Sequence, residues 1–539
     1  MTQRRSRISI FRARRILAQN GPTEPEAFAT AGDRIVATGG FESLRSRFPG
    51  AEIVSLDGVV VPGFNDAHAH LAVAAEDVLH LDFSVKAVRS LAEIKSKLRT
   101  EAAARPRGAW IRASRYDDAK MAEGCLLTRA DLDEVAPEHP AIVVHVAGHW
   151  GVVNSKALEA GGITEASSPP EGGDFGRDAA GRLNGILYEQ AIFNYVYPSL
   201  AEGGTSIAPM STLDERLAGL ARAQAMFHAA GITSLGDAMC GPHDLALFSE
   251  ALRRGVLTMR LSALLTVDHY DEFKALGIKT GFGDERLRIG GIKAFVDGAI
   301  GGRTCLLDEP FEGTDYHGMQ TTATNELRDI VRMVQEDGNR LCVHCNGDRA
   351  LKILLDQFEA AASEFPRPGL RHRIEHCSVV NEEIVARIKR LDACAIPFAG
   401  YIAYHGSKLA DWYGRKRLER MFAHNWFLRE GITVAGSSDY PCGPFEPLYG
   451  VQSMSTRRAG DGPELGVSQR ITPAQALAVY TLGSADAAGE AAFKGRLAPG
   501  YLADFVVLDD DLLAVAPESI ASIPVRETYV GADRVYAAN

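Results

Sequence analysis

The chain has 539 residues, 46% hydrophobic and 24% charged, with a formal net charge of −11. That length exceeds one ordinary hydrophobic core, so a large domain and at least one smaller one are expected. The acidic balance leaves no electrostatic footprint for nucleic acid or an anionic membrane, and no run approaches the ~18 apolar residues of a membrane span, so neither partner is expected.

The N-terminus reads MTQRRSRISIFRARRILAQNG. Its arginines are like a signal-peptide n-region, but Arg12, Arg14 and Arg15 interrupt the apolar stretch that would have to follow. A cytoplasmic protein is expected, and its eight scattered cysteines then need no disulfides. RRILAQN, EAFATAGDRIVATGG and AEIVSLDGVV read as short strands with Gly turns. KGRLAPGYLADFVVLDDD and VRETYVGADRVYAAN, near the other end, read the same way. Neither end has the apolar surface to fold alone, so residues 1–60 and 480–539 are expected to meet in one composite β-sandwich.

From Val59 onward, short apolar runs recur: VVVPGFNDAHAH, ITSLGD (232–237), TMRLSALL (258–265), LRIGGIKAFVDG (287–298), NRLCVHCNGD (339–348), RHRIEH (371–376), DACAIPFAG (392–400) and ITVAGSSD (432–439). Helix-like segments separate most of them. In LKILLDQFEAAASEF the apolar positions recur at three and four, as an amphipathic helix requires. Strands alternating with helices indicate a parallel sheet, and eight strands close a (β/α)8 TIM-like barrel, expected over 61–479. A ninth run, AIVVHVAG (141–148), is placed in an insertion of about 75–215 after the first strand. That gap is too long for an ordinary βα connection, and it would cap the barrel's C-terminal mouth.

The chemistry gathers at the ends of the runs. In VVPGFNDAHAH, side-chain alternation points His68 and His70 the same way. Lys293 lies in the fourth run, His344 in the fifth, His376 ends the sixth and Asp439 the eighth. A parallel barrel brings all these ends to one mouth. Four imidazoles, a carboxylate and a potential bridging anion suit one or two divalent metals. Taken singly, a histidine at a strand end is more often structural. Cys342 and Cys345 form a C-x-x-C, but on a strand they face opposite sides and read as small buried hydrophobes. His405 and His424 read as surface or capping histidines. GAIGGR lacks the spacing of a phosphate-binding loop.

Taken in order, these segments resemble the amidohydrolase superfamily, and within it the YtcJ-like branch of amidohydrolase family 3, over nearly the whole chain. VVPGFNDAHAH resembles its metal-binding first strand. HWGVVNSKAL and GRLNGILYE resemble its insertion. IKAFVDGAIGGRT, HCNGDRA, RIEHC and GSSDYP resemble its fourth, fifth, sixth and eighth strand motifs, and LAPGYLADFVVLD its closing sandwich segment. The resemblance implies that His68, His70, His344 and His376 ligate metal, most readily zinc. It implies that Lys293, carboxylated by carbon dioxide, bridges two ions, and that Asp439 ligates weakly and shuttles protons. The alternative for Lys293 is an ion pair with Asp297 or another carboxylate. Tyr116, His149, Trp150 and Asn154 would contact substrate; for Tyr116 and Trp150 the alternative is packing within the insertion. Two departures bear on specificity: position 116 is often Trp in the family, and Ile396-Pro397 stands where Gln-Pro is frequent.

The expected activity is metal-assisted hydrolysis of a C–N bond, amide or formamide, in a small organic molecule. Asp439 would take a proton from the attacking water and pass it to the departing nitrogen. An esterase or lactonase on the same site, or a non-catalytic binding protein on the same scaffold, are the alternatives. Ring deamination is disfavoured, because Gly347 stands where deaminases of the superfamily carry Glu. The oligomeric state is left open, a homo-oligomer included.

Overall fold

A computed structural model describes residues 8–460 and 462–538. Arg4, Arg5 and Arg7 of the N-terminal arginine run lie outside the described residues; Ile8–Arg12 is a strand. No helix among the described residues is long and apolar enough to cross a membrane.

Seven parallel strands form the central sheet: β1 (Phe64–Ala69), β2 (Ile232–Cys240), β3 (Arg260–Thr266), β4 (Leu287–Phe295), β5 (Leu341–Cys345), β6 (Arg373–His376) and β7 (Cys394–Ile396), paired in that order. All nine residues of β2 and all seven of β3 are buried. Parallel strands covered on both faces read as such continuous apolar runs. The covering helices bury one stripe each. In Thr324–Glu336 the buried apolar residues are Leu327, Val331 and Val334, spaced at four and three. Each such side chain contributes about 1.5–3 kcal/mol on leaving water.

The eighth run closes the ring without forming a regular strand. Ala395 N–H donates to Thr433 O and Ala435 N–H to Ala395 O, which joins the segment to β7. Ala67 N–H donates to Gly436 O and Asp439 N–H to His68 O, which joins it to β1. The ladder breaks at Gly436, whose own N–H turns outward to Val479 O. The fold is therefore the α/β barrel class read from the sequence, with its last strand reduced to bridges.

Strands from both chain ends share one five-stranded sheet, in the order Arg15–Ile16, Val59–Pro62, Phe505–Leu508, Val525–Val530, Asp533–Ala537. A second sheet, from Ile8–Arg12, Ala27–Ala31, Arg34–Gly39 and Glu52–Ser55, packs on it through Phe11, Phe28, Val60, Phe505 and Tyr529. Gly63 passes the chain from this sheet to β1 so close to Thr233 that a Cβ would lie 2.2 Å from its Oγ1. Arg260, first residue of β3, pairs with Asp504 at 2.5 Å with both side chains buried. The sandwich thus grips the strands' N-terminal ends, opposite the mouth.

The segment between β1 and β2 carries a six-stranded sheet, in the order Gly173–Arg177, Leu183–Glu189, Trp150–Val153, Ala141–His145, Ile111–Tyr116, Leu81–Asp82. It has apolar clusters of its own, one around Phe83, Ile94, Leu98 and Val143, another around Ile142, Leu187 and Tyr195. Helix Leu91–Ala104 starts where Ser90 accepts the Glu93 N–H.

Cys342 packs with Ala238 and Leu264, while Cys345 belongs to the large core. All eight cysteines are free. One expectation fails: His405 and His424 are buried, 6% and 1% exposed. His405 is wedged between Tyr401 and Tyr404, and His424 Nδ1 lies 2.9 Å from Phe422 O.

Candidate metal centre

The C-terminal ends of β1, β4, β5, β6 and the eighth segment converge on one cavity, and His68, His70, Lys293, His344, His376 and Asp439 all line it. Ring centroids step from His70 to His68 (5.5 Å), to His376 (4.7 Å) and to His344 (4.5 Å). The row continues to His149, 5.4 Å from His344, which reaches in from the insertion. Two of these positions are held in unusual backbone conformations: φ is +70° at His376 and +54° at Asp439. Non-glycine residues in that region store about 1–3 kcal/mol of strain, a recurrent feature of functional sites.

Hydrogen bonds fix which ring nitrogen faces inward. His68 Nδ1–H donates to Glu375 Oε2 at 2.5 Å, and a carboxylate can only accept, so Nε2 is left for the cavity. Glu375 is itself clamped by Arg373 through two bonds of 2.7 and 2.9 Å, and Arg373 also donates to Ala67 O. A carbonyl can only accept, so the 3.1 Å contact with Gly298 O puts the His344 proton on Nε2, which Asn346 Nδ2 also approaches at 3.0 Å, and leaves Nδ1 for the cavity. His149 Nδ1–H donates to Glu189 at 2.7 Å, and Thr304 Oγ1 steadies the same carboxylate. Ligating histidines are oriented in this way by an acceptor on their far nitrogen.

Electrostatics follow from burial. Burial, helped by Lys293 at His344 and by His344 at His376, holds both imidazoles far below the ordinary histidine value, so both are neutral lone-pair donors. At His68, burial and Lys293 push down, but Glu375 and Asp439 more than offset them and hold it above the ordinary value. Burial opposes the charge on Asp439, yet the closeness of His68, His70 and His376 outweighs it and holds the carboxyl far below its usual range. Lys293 is pushed down to about 8 by burial, against the pull of Glu375 and Asp439.

This donor set fits a divalent cation. Ligand atoms of His68, His70 and Asp439 all lie within 4.8 Å of one another. Among the described residues the buried Nδ1 atoms of His70 and His376 have no hydrogen-bond partner. Among the described residues Lys293 forms no ion pair; its Nζ sits 4.6 Å from the centre of the Phe295 ring. The alternative partner, Asp297, is occupied by the backbone N–H groups of Asn346, Leu306 and Gly347, each at 2.9 Å.

The sequence profile of the amidohydrolase family matches residues 52–536. The chain belongs to the amidohydrolase family. It is 29% identical to the YtcJ protein of Bacillus subtilis (strain 168) over 512 residues, covering 93% of this chain and 94% of that protein. It is 28% identical to the N-substituted formamide deformylase of Arthrobacter pascens over 545 residues, 98% of each. A metal-dependent hydrolase from Pyrococcus furiosus, 25% identical, superposes with a TM-score of 0.73 over 94% of this chain and 100% of its own. A similar hydrolase from Pyrococcus horikoshii OT3, 24% identical, gives 0.76 over 95% and 99% and shares the fold.

Of the four residues expected to contact substrate in this amidohydrolase, His149 lines the cavity. The structure places the other three elsewhere, where they serve the insertion's own packing. The Tyr116 hydroxyl accepts Leu127 N–H at 3.0 Å. Trp150 stacks on His145 at 4.1 Å. Asn154 caps helix Ser155–Ala160 and donates to Ala136 O and His139 O. Gly347 admits no larger residue, because a Cβ there would lie 1.8 Å from Leu306 O. A deaminase-type Glu has no room at that point. Sequence reasoning missed Arg373 and Glu375, although opposite charges two apart on a four-residue buried strand were a signal that they face one side together.

Proposed function

We propose that this cavity hydrolyses a C–N bond of a small organic amide, formamides being the first class to test. His68, His70, His344 and His376 would hold one or two divalent ions, zinc first among them, and Asp439 would move the proton. The observation that carries this is the anchoring of His68 and His344: an acceptor on the far nitrogen of each turns a lone pair into the cavity, beside an ionised carboxylate. The Arthrobacter relative, named for acting on N-substituted formamides, supports the choice of bond.

When bound, the metal supplies Lewis acidity, drawing the pKa of a water towards about 7 and polarising a carbonyl oxygen. Asp439, already ionised, accepts the proton of the attacking water and returns it to the departing nitrogen, so that the leaving group is a neutral amine. His149, tied to Glu189, borders the same space from the insertion side and positions substrate there. With its pKa near 8, about a tenth of Lys293 is the free amine at pH 7. That amine attacks the carbon of carbon dioxide; an N–C bond forms, one proton leaves, and a carbamate anion replaces an ammonium that would repel metal. Carboxylated in this way, Lys293 would help His68, His70, His344 and His376 to hold the metal.

The test is metal analysis of the purified protein with a panel of paired amides and esters. One to two divalent ions per chain, and amide turnover above that of the matching esters, is the expected result. Absence of both metal and amide turnover would overturn the proposal, and faster ester turnover would reassign the bond.

A further inference from the structure

A second, small cavity of about 50 Å³ adjoins the metal cavity; Val73, Tyr197, Met239 and Pro441 stand in the walls of both. Its lining includes residues of helix Leu71–Asp77, which follows His70, of insertion strand Ile111–Tyr116, and Arg216 and Asp244. Three carboxylates and three arginines line it, but one arginine is drawn away to Asp82 outside the cavity. Arg112 pairs with Glu76 at 2.9 Å, Arg216 with Asp244 at 2.7 Å, and Arg115 with Asp82 at 2.9 Å. His80 leans on Glu76. Asp77 alone among these carboxylates has no ion-pair partner among the described residues. Its Oδ2 is buried without a hydrogen-bond partner, and so are Ser114 Oγ and Arg115 Nε. Ser114 is 6% exposed and lines the same cavity. Arg115 is held at φ +68°, where the insertion strand shifts register, and its guanidinium is spent on Asp82 and the Tyr440 hydroxyl. A carboxylate left without a counter-ion in a cavity is costly unless a cation arrives.

We propose that this second cavity receives a protonated nitrogen of the substrate, an amine or amidine, with Asp77 as its counter-ion and Ser114 as a hydrogen-bond partner. The inference rests on the amide-hydrolase reading: the scissile bond lies at the histidines while the cationic end of the same molecule passes the Tyr197–Met239 neck. It narrows the substrate class to amides bearing a basic group at the far end from the metal. Burial pushes the Asp77 carboxyl up, against the pull of Arg115, His80 and Arg112 and of the neighbouring Ser114 hydroxyl, so the charges around it do not fully offset its desolvation.

Two measurements test it. The first compares kcat/KM for a chain-length series of N-(ω-aminoalkyl)formamides with uncharged N-alkylformamides of the same lengths. At the best length the wild type should favour the cationic member by about tenfold or more, the scale of one desolvated ion pair. Asp77→Asn should bring that ratio to about one, and Asp77→Glu should keep most of it. No preference at any length, or a preference surviving in Asp77→Asn, overturns the proposal. The second measurement needs no turnover: thermal unfolding of the full chain with and without a simple alkyl diamine. The diamine should raise the Tm of the wild type and leave Asp77→Asn unmoved. Equal response of both proteins, or of neither, overturns the subsite. If no formamide is hydrolysed while the diamine shift depends on Asp77, the amide reading fails and the cation site stands.

Discussion

Among the described residues, two groups of histidine and carboxylate lie equally close-packed. His68, His70 and Asp439 crown the barrel, and Asp117, Asp118 and His145 sit in the insertion; within each, the ligand atoms fall inside 4.8 Å. Proximity does not separate them, but proton placement does. In the barrel, His68 gives its Nδ1 proton to Glu375 and turns a lone pair inward. In the insertion, His145 Nδ1 accepts Ala147 N–H at 3.1 Å, so its proton is on Nε2, donated to Asp118 at 3.1 Å. A cation there would meet an N–H instead of a lone pair. With Trp150 stacked against it, His145 is a packed, hydrogen-bonded core histidine. The partner on the far nitrogen decides what an imidazole can do.

Substitutions can break this contrast. The largest effect is expected from His68→Ala, which should remove bound metal and turnover together; elemental analysis beside rate measurement checks it. Next is Asp439→Asn, which should keep most of the metal while kcat falls by about 10²–10⁴, the scale of proton transfer by one positioned group. Glu375→Gln should come third, since replacing the charged acceptor behind a ligand by a neutral one lowers metal affinity by about 10- to 100-fold, readable by competition with a chelator.

Lys293 adds a pH test. Its ammonium titrates at about 8, so the amine that reacts with carbon dioxide is plentiful at pH 8 and scarce at pH 6.5. Lowering the pH protonates it and removes the nucleophile. Stimulation of metal reloading by bicarbonate should therefore be about tenfold weaker at pH 6.5 than at pH 8, and Lys293→Arg should abolish it. The smallest effect is expected from His145→Phe, which keeps the stack on Trp150 and loses the bond to Asp118. Denaturant unfolding should show a cost of about 1 kcal/mol, with metal content unchanged.

Much of the barrel was legible because its strands are buried on both faces and end in polar residues. Helical stripes such as Leu327, Val331 and Val334 announce themselves by spacing. His68 and His70 were legible from the two-residue period of a strand. The eighth segment was less so, since its local pattern does not reveal that Gly436 gives its N–H to a helix. Tyr116, Trp150 and Asn154 were ambiguous for a physical reason: an insertion with its own core needs aromatic and capping residues just as a pocket does, and local sequence does not distinguish the two. His405 and His424 went the same way, because a buried histidine with an acceptor nearby has no distinctive spacing. The charge left over at Asp77 could not be read at all, since it depends on Arg112, Arg115 and Arg216 each finding another partner in three dimensions.

Anomalous diffraction from crystals loaded with a divalent transition metal tests the central claim most directly. One or two peaks should appear among His68, His70, His344, His376 and Asp439, with none beside Asp117, Asp118 and His145. A barrel mouth without a peak, or a peak at the insertion cluster instead, would contradict the account.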